Sequence, residues 1–207
     1  EVFGKYIHTY KFNEGVKDGV ILDLTYEARD IDQRISSPKK IDKWFDATTK
    51  GLNQYKVSEL KKRWGTMQKV LSSRSRINKI VQDVIMDFKT KPRLKSEQGN
   101  ALVIASSIYE ACIFYELFQG TSLKERCGLV TSYNPSERDI VTEGTGEYTE
   151  TEKEFIYNCY KELLDGRDTE TYEDWAKLKF VDEPANMKLL VVVDKLLTGF
   201  DAPACTY

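Results

Sequence analysis

The sequence predicts an α/β protein: a doubly wound parallel sheet preceded by a basic helical segment. Three observations carry that class. Ala101-Leu102-Val103-Ile104-Ala105 and Lys188-Leu189-Leu190-Val191-Val192-Val193-Asp194 are near-continuous apolar runs, the pattern of strands covered on both faces, with Cys127-Gly128-Leu129-Val130-Thr131 a shorter one between them. Helical stretches separate the three, and strand, helix, strand, helices, strand is the order of a parallel sheet with crossover helices. Ahead of them, residues 39–95 carry helical spacing and a surplus of Lys and Arg.

Taken in order, Tyr6 to Tyr10 can be a short strand, and Phe12 to Lys17 one helical turn stopped by Asp18-Gly19. Val20 to Tyr26 is rich in β-formers and predicts a buried strand, and Ser37-Pro38 breaks the pattern. Leu60, Trp64, Met67 and Leu71 step along one helix face, with Trp64 expected in the core. Ser72-Ser73 is expected to interrupt that helix. Ile77, Ile80, Val81, Val84, Ile85 and Phe88 resume the periodicity, and Pro92 and Gly99 mark the exit.

Between the first two apolar runs, Ile108 to Phe118 reads as a helix stopped at Gly120. Asn134 to Glu150 is polar and reads as a loop. Thr151-Glu152-Lys153-Glu154 has the form of a capping box opening a helix that ends at Asp165-Gly166. A shorter helix from Tyr172 to Leu178 is expected, with Trp175 as its buried residue.

The 207 residues suffice for a full core without staples. No apolar run is long enough to span a bilayer, so no membrane partner is expected. No signal peptide is visible, and the absence of an initiator Met suggests a piece of something longer. The net charge of −2 hides an asymmetry. Lys39 to Lys95 holds 16 basic and 5 acidic residues, whereas Ser132 to Glu183 holds 6 and 15. A protein basic all over is excluded; one basic face is not. Cys112, Cys127, Cys159 and Cys205 form no C-x-x-C pair, and His8 is the only histidine, so a zinc site or a histidine-based triad is not expected. The cysteines read as reduced core thiols of a cytoplasmic protein.

Parallel sheets bind ligands at the carboxyl ends of their strands. That directs attention to Ser106-Ser107, Thr131-Ser132 and the segment from Asp194 to Pro203. In Leu196-Leu197-Thr198-Gly199-Phe200-Asp201-Ala202-Pro203, Gly199 allows a tight approach, Thr198 offers a hydroxyl to an anion, and Asp201 supplies a carboxylate at the ligand end. A turn with a capping Asp explains the spacing as well. Ser106 and Ser107 open the next helix, for which plain helix caps are one reading. Lys61, Lys62, Arg63, Arg74 and Arg76 either form a solvated face or contact DNA phosphates.

The motif VVVDKLLTGFDAP resembles motif V of superfamily-two helicases and translocases, and in this form the motor (R) subunit of type I restriction enzymes. ALVIASSIYEACIFYELF resembles the motif IV strand and helix opening the second RecA-like domain of that family, and LVTSYN its next strand and loop. Tyr6 to Tyr10 followed by Gly15-Val16-Lys17-Asp18-Gly19 resembles the connector after the first such domain, with Gly15 where alanine is usual. The phosphate-cradling loop, the D-E-x-H box, the nuclease motif and the arginine-rich motif VI are not in the sequence, so the chain reads as one slice of a larger polypeptide.

The resemblance implies a connector at 1–38, a basic helical segment at 39–99 and a partial second RecA-like domain at 100–207. It implies that Gly199 and Asp201 line an ATP cleft, that Thr198, Ser106, Ser107, Thr131 and Ser132 contact the DNA backbone, and that the parent uses ATP and Mg²⁺. Implied partners are double-stranded DNA and the modification and specificity subunits of a bacterial or archaeal restriction complex. No catalytic or metal-binding residue is implied, and the chain alone is expected to be inactive. Another superfamily-two DNA or RNA helicase, or a non-enzymatic α/β binding module, are the other readings.

Overall fold

The computed structural model describes residues 9–21, 23, 25–29, 43, 46–47, 49–136, 150–196 and 199–207; at 60, 61, 63–73 and 150 it describes the backbone alone. The chain divides into two compact units, Glu1–Ile31 and Asp32–Tyr207.

In the first unit, helix α1 spans Phe12–Lys17. The Lys11 amide donates to the Glu14 carboxylate at 2.8 Å, and Asp18 closes the last turn through Glu14 O. This is the helical turn the sequence predicts. Tyr6 to His8 lie outside the described residues, and Thr9 and Tyr10 are in no strand. Among the described residues of Val20 to Tyr26 there is no strand either, and Val20 and Tyr26 are exposed. Among the described residues β-propensity there finds no partner strand, and propensity without pairing does not make a sheet.

The second unit starts with helix α2, Gln54–Thr90, capped by Asn53, whose side chain accepts from the Lys56 amide at 2.9 Å. Its 37 residues make a rod about 55 Å long. It runs unbroken through Ser72-Ser73, contrary to the expected interruption; two serines cost a helix only tenths of a kcal/mol each. The side chains of Leu60, Trp64, Met67 and Leu71 lie outside the described residues. Ile77, Val81, Ile85 and Phe88 are buried, as their spacing predicts. Helix α3, Pro92–Lys95, turns the chain and buries Leu94.

Strands β1 (Ala101–Ile104), β2 (Cys127–Val130) and β3 (Leu189–Val192) form one parallel sheet in the order β1-β3-β2. Helix α4 (Ile108–Gln119) joins β1 to β2; α5 (Glu150–Leu164) and α6 (Thr169–Asp182) join β2 to β3. The α4 helix packs on β2 and β3 and against α2 and α5, and α6 packs on β2. This is the predicted α/β class, a three-stranded piece consistent with a truncated RecA-like fold.

The central strand and β2 are buried along their whole length, as predicted. Leu189 to Val192 are wholly buried, but in β1 Leu102 and Val103 are half-buried and Ile104 is 61% exposed. β2 flanks the described sheet as well, but α4 and α6 pack on β2, whereas no helix packs comparably on β1. The other edge of β1 starts a parallel pairing at Asn100–Cys205, with the Leu102 amide donating to Tyr207 O at 3.0 Å.

Two helix boundaries differ from expectation. Thr151 lies inside α5, so the predicted capping box does not cap it. The α6 helix starts three residues before Tyr172, at an Asp168 cap that accepts from the Thr171 amide at 2.9 Å. Its core residues are Tyr172, Ala176 and Phe180; Trp175 is 38% exposed, with Arg167 and Lys179 over its ring. At Gly128 a Cβ would lie 2.7 Å from Leu190 Cδ2 and 3.4 Å from the Tyr172 hydroxyl, so glycine lets α6 sit close on the sheet.

Candidate functional site

Parallel pairing puts the ends of the three strands side by side: Ile104, Val192 and Val130 are at one level. The residues that follow each strand therefore gather at one edge. They are Ser106-Ser107 after β1, Thr131-Ser132 after β2, and Asp194-Lys195-Leu196 after β3.

Ser107 is the N-cap of α4, its hydroxyl accepting from the Glu110 amide at 3.2 Å. The Glu110 carboxylate turns back and accepts from the Ser106 amide at 2.8 Å and from the Ser106 hydroxyl. A carboxylate of the same helix thus occupies the donors that the resemblance gives to the DNA backbone.

Thr131 is buried. Its hydroxyl bonds the Tyr160 hydroxyl at 2.5 Å and accepts from the Tyr133 amide at 3.1 Å. Burial pushes the Tyr160 phenol well above its ordinary value, against the lowering effect of the Thr131 bond. Ser132 is exposed beside it.

After β3 the backbone makes an uncommon turn. Asp194 and Leu196 have φ of 51° and 62°, in the left-handed region. For residues with a Cβ this costs about 1–2 kcal/mol each. Between them Lys195 reaches the Glu173 carboxylate of α6 at 2.5 Å, and the other oxygen of Glu173 takes Lys177 at 2.8 Å. Burial raises the Glu173 pKa, and the two lysines outweigh it, leaving the carboxyl below its usual range.

Leu197 and Thr198 lie outside the described residues. Gly199 has φ 72°, is exposed, and has nothing within 4 Å of where a Cβ would project. Asp201 is also exposed. Both stand on a returning segment rather than at the carboxyl end of β3, where Asp201 was expected. Phe200 stacks on Phe180 with ring centroids 6.1 Å apart, and Cys205 pairs with Asn100 at the amino end of β1.

On the long helix, Lys62, Arg74 and Arg76 are exposed, while the side chains of Lys61 and Arg63 lie outside the described residues. Arg74 makes a two-pronged pair with Glu116 of α4 at 3.0 and 3.1 Å. Sequence reasoning passed over Lys195. A cation directly past a buried strand was the available signal; its partner Glu173, 22 residues away, was not.

The space beside Gly199 is open and the Asp201 carboxylate is exposed to solvent. Among the described residues there is no group of three His, Cys, Asp or Glu side chains able to hold a metal. None of the described helices is long and apolar enough to cross a membrane.

Residues 97–207 match the family model "Type I restriction enzyme subunit R domain 3". The chain belongs to the R-subunit family of type I restriction enzymes. Residues 1–58 match the SWI2/SNF2 ATPase model. The "Putative type I restriction enzyme MjaIXP endonuclease subunit" of Methanocaldococcus jannaschii is 27% identical over 98% of this chain. The type I restriction enzyme HindI endonuclease subunit of Haemophilus influenzae is 25% identical over 99% of it. The chain spans 17% of the length of each. Both alignments run across the first unit, the long helix and the sheet.

Proposed function

We propose that this chain is part of the ATP-dependent DNA translocase of a type I restriction enzyme R subunit. It supplies one wall of an ATP cleft and part of a DNA-backbone surface. The observation that supports the reading is a parallel sheet whose central strand runs into a strained turn at Asp194 and Leu196, in a chain of this family. The SWI2/SNF2 match at residues 1–58 supports an ATP-driven motor.

Gly199 lets the backbone approach the nucleotide, and the Asp201 carboxylate accepts a hydrogen bond from it. In this reading Thr198, Ser107 and Ser132 contact a phosphate backbone, and Ser106 does so once Glu110 releases its amide and hydroxyl, with Thr131 holding the turn beneath Ser132 through Tyr160. Lys61, Lys62, Arg63, Arg74 and Arg76 add sequence-independent attraction, as a motor that moves along DNA requires. ATP and Mg²⁺ supply the free energy of movement when bound; the phosphate cradle and the metal ligands come from other parts of the parent. The parent cuts double-stranded DNA in the cytoplasm, in complex with modification and specificity subunits.

The test is Asp201→Ala in the full-length protein. DNA-stimulated ATPase is expected to fall at least about tenfold with an unchanged melting temperature. Unchanged ATPase would refute the cleft assignment. The isolated chain is expected to hydrolyse no ATP.

A further inference from the structure

We propose that Glu173 is a positioning residue for the motor: through Lys195 it holds the turn at Asp194 to Leu196 that precedes Gly199 and Asp201. This rests on the translocase reading and adds a part to it.

Three observations converge. The turn after β3 places Asp194 and Leu196, both with side chains, at φ of 51° and 62°. Such a backbone persists only where its surroundings over-determine it. Asp194 is exposed, while Leu196 is half-buried and packs against the core, which holds one side of the turn. The tie that is visible is Lys195, whose ammonium meets Glu173 Oε2 at 2.5 Å on the second turn of α6. Glu173 is only 20% exposed, and its other oxygen is fixed by Lys177 at 2.8 Å. The acceptor is thus pinned before Lys195 arrives. The α6 helix is itself fixed to the sheet, with Tyr172 next to Glu173 buried and its hydroxyl accepting from the Leu129 amide at 3.4 Å.

Without the tie, the turn relaxes among several conformations, and the segment beyond it is correctly placed in only a fraction of molecules. A ligand that binds the correct placement then shows an apparent affinity weakened by that fraction. Saturating ligand recovers the lost molecules.

The experiment uses the full-length protein with Glu173→Gln, Lys195→Gln, the double variant and Lys177→Gln, measured for DNA-stimulated ATPase and melting temperature. Glu173→Gln and Lys195→Gln should each raise KM for ATP roughly threefold to tenfold, with kcat within about twofold of the wild type. The double variant should be no worse than either single one. Lys177→Gln should change KM less than either, because it leaves the Lys195 contact in place. Wild-type KM in Glu173→Gln, or additive effects in the double variant, would overturn the proposal. If instead Asp201→Ala leaves ATPase unchanged, the translocase reading fails, whatever Glu173 does.

Discussion

Lys188 and Lys195 bracket the central strand, one at each end, and they are held in opposite ways. Lys188 is 5% exposed, and its ammonium donates to the carbonyls of Ser96 at 2.5 Å and Gly99 at 2.6 Å. Beside it Asn100 donates to the carbonyl of Phe180 at 2.6 Å. Burial and the nearby Arg126 lower the Lys188 pKa, the signature of a cation kept inside for its hydrogen bonds. Lys195 is half-buried, rests on a side-chain carboxylate and sits in a strained turn. The amino end of the sheet spends its polar groups on closing the fold. The carboxyl end keeps exposed serines, a carboxylate-filled helix start and a backbone away from its minimum. Even at the amino end one buried acceptor, Asn100 Oδ1, has no partner among the described residues.

The largest expected effect breaks the comparison at its closed end. Phe180 is wholly buried, and its carbonyl and ring meet Asn100 and Phe200. Phe180→Ala should cost about 3–5 kcal/mol in urea unfolding. A loss under about 1 kcal/mol would mean that the amino end is not what holds the unit.

Next is the alkaline limb of stability. Tyr160 is buried under Thr131, and its phenol is raised above the ordinary value near 10. Below that pH both folded and unfolded states keep the proton, and the contribution is constant. Above it the unfolded chain releases the proton while the folded one retains it, so stability falls by about 1.4 kcal/mol per pH unit for this group. Tyr160→Phe should be less stable at pH 8, through loss of the Thr131 bond, and should show a shallower decline from pH 10 to 11. An unchanged slope would place Tyr160 in contact with water.

The smallest effect sharpens the open end. Asp194→Gly removes a Cβ from a left-handed position that is exposed, and should raise stability by about 0.5–1 kcal/mol in thermal unfolding. Destabilisation would mean that Asp194 contributes a bond outweighing its strain.

The sequence made the three strands legible because each is a short apolar run bounded by polar residues. The buried stripe Ile77, Val81, Ile85, Phe88 was legible from spacing for the same reason. The exposure of Ile104 was not, since a run cannot reveal which flanking strand the helices cover. The first turn of α6 was missed because Thr169 to Thr171 are polar and the apolar period begins only at Tyr172. Trp175 was misplaced because size suggested burial, whereas Arg167 and Lys179 cover its ring at the surface. The edge of the site was legible from parallel topology. Its occupancy was not: Glu110 on Ser106, Tyr160 on Thr131 and Glu173 on Lys195 are side-chain pairings that spacing does not encode.

The most direct measurement compares Lys188→Met with Lys195→Gln in the full-length protein, reading DNA-stimulated ATPase well below each variant's melting temperature. Lys188→Met should melt lower and retain its KM for ATP. Lys195→Gln should melt like the wild type and show a raised KM. A raised KM in folded Lys188→Met, with none in Lys195→Gln, would contradict the division of the sheet into a closed end and a working end.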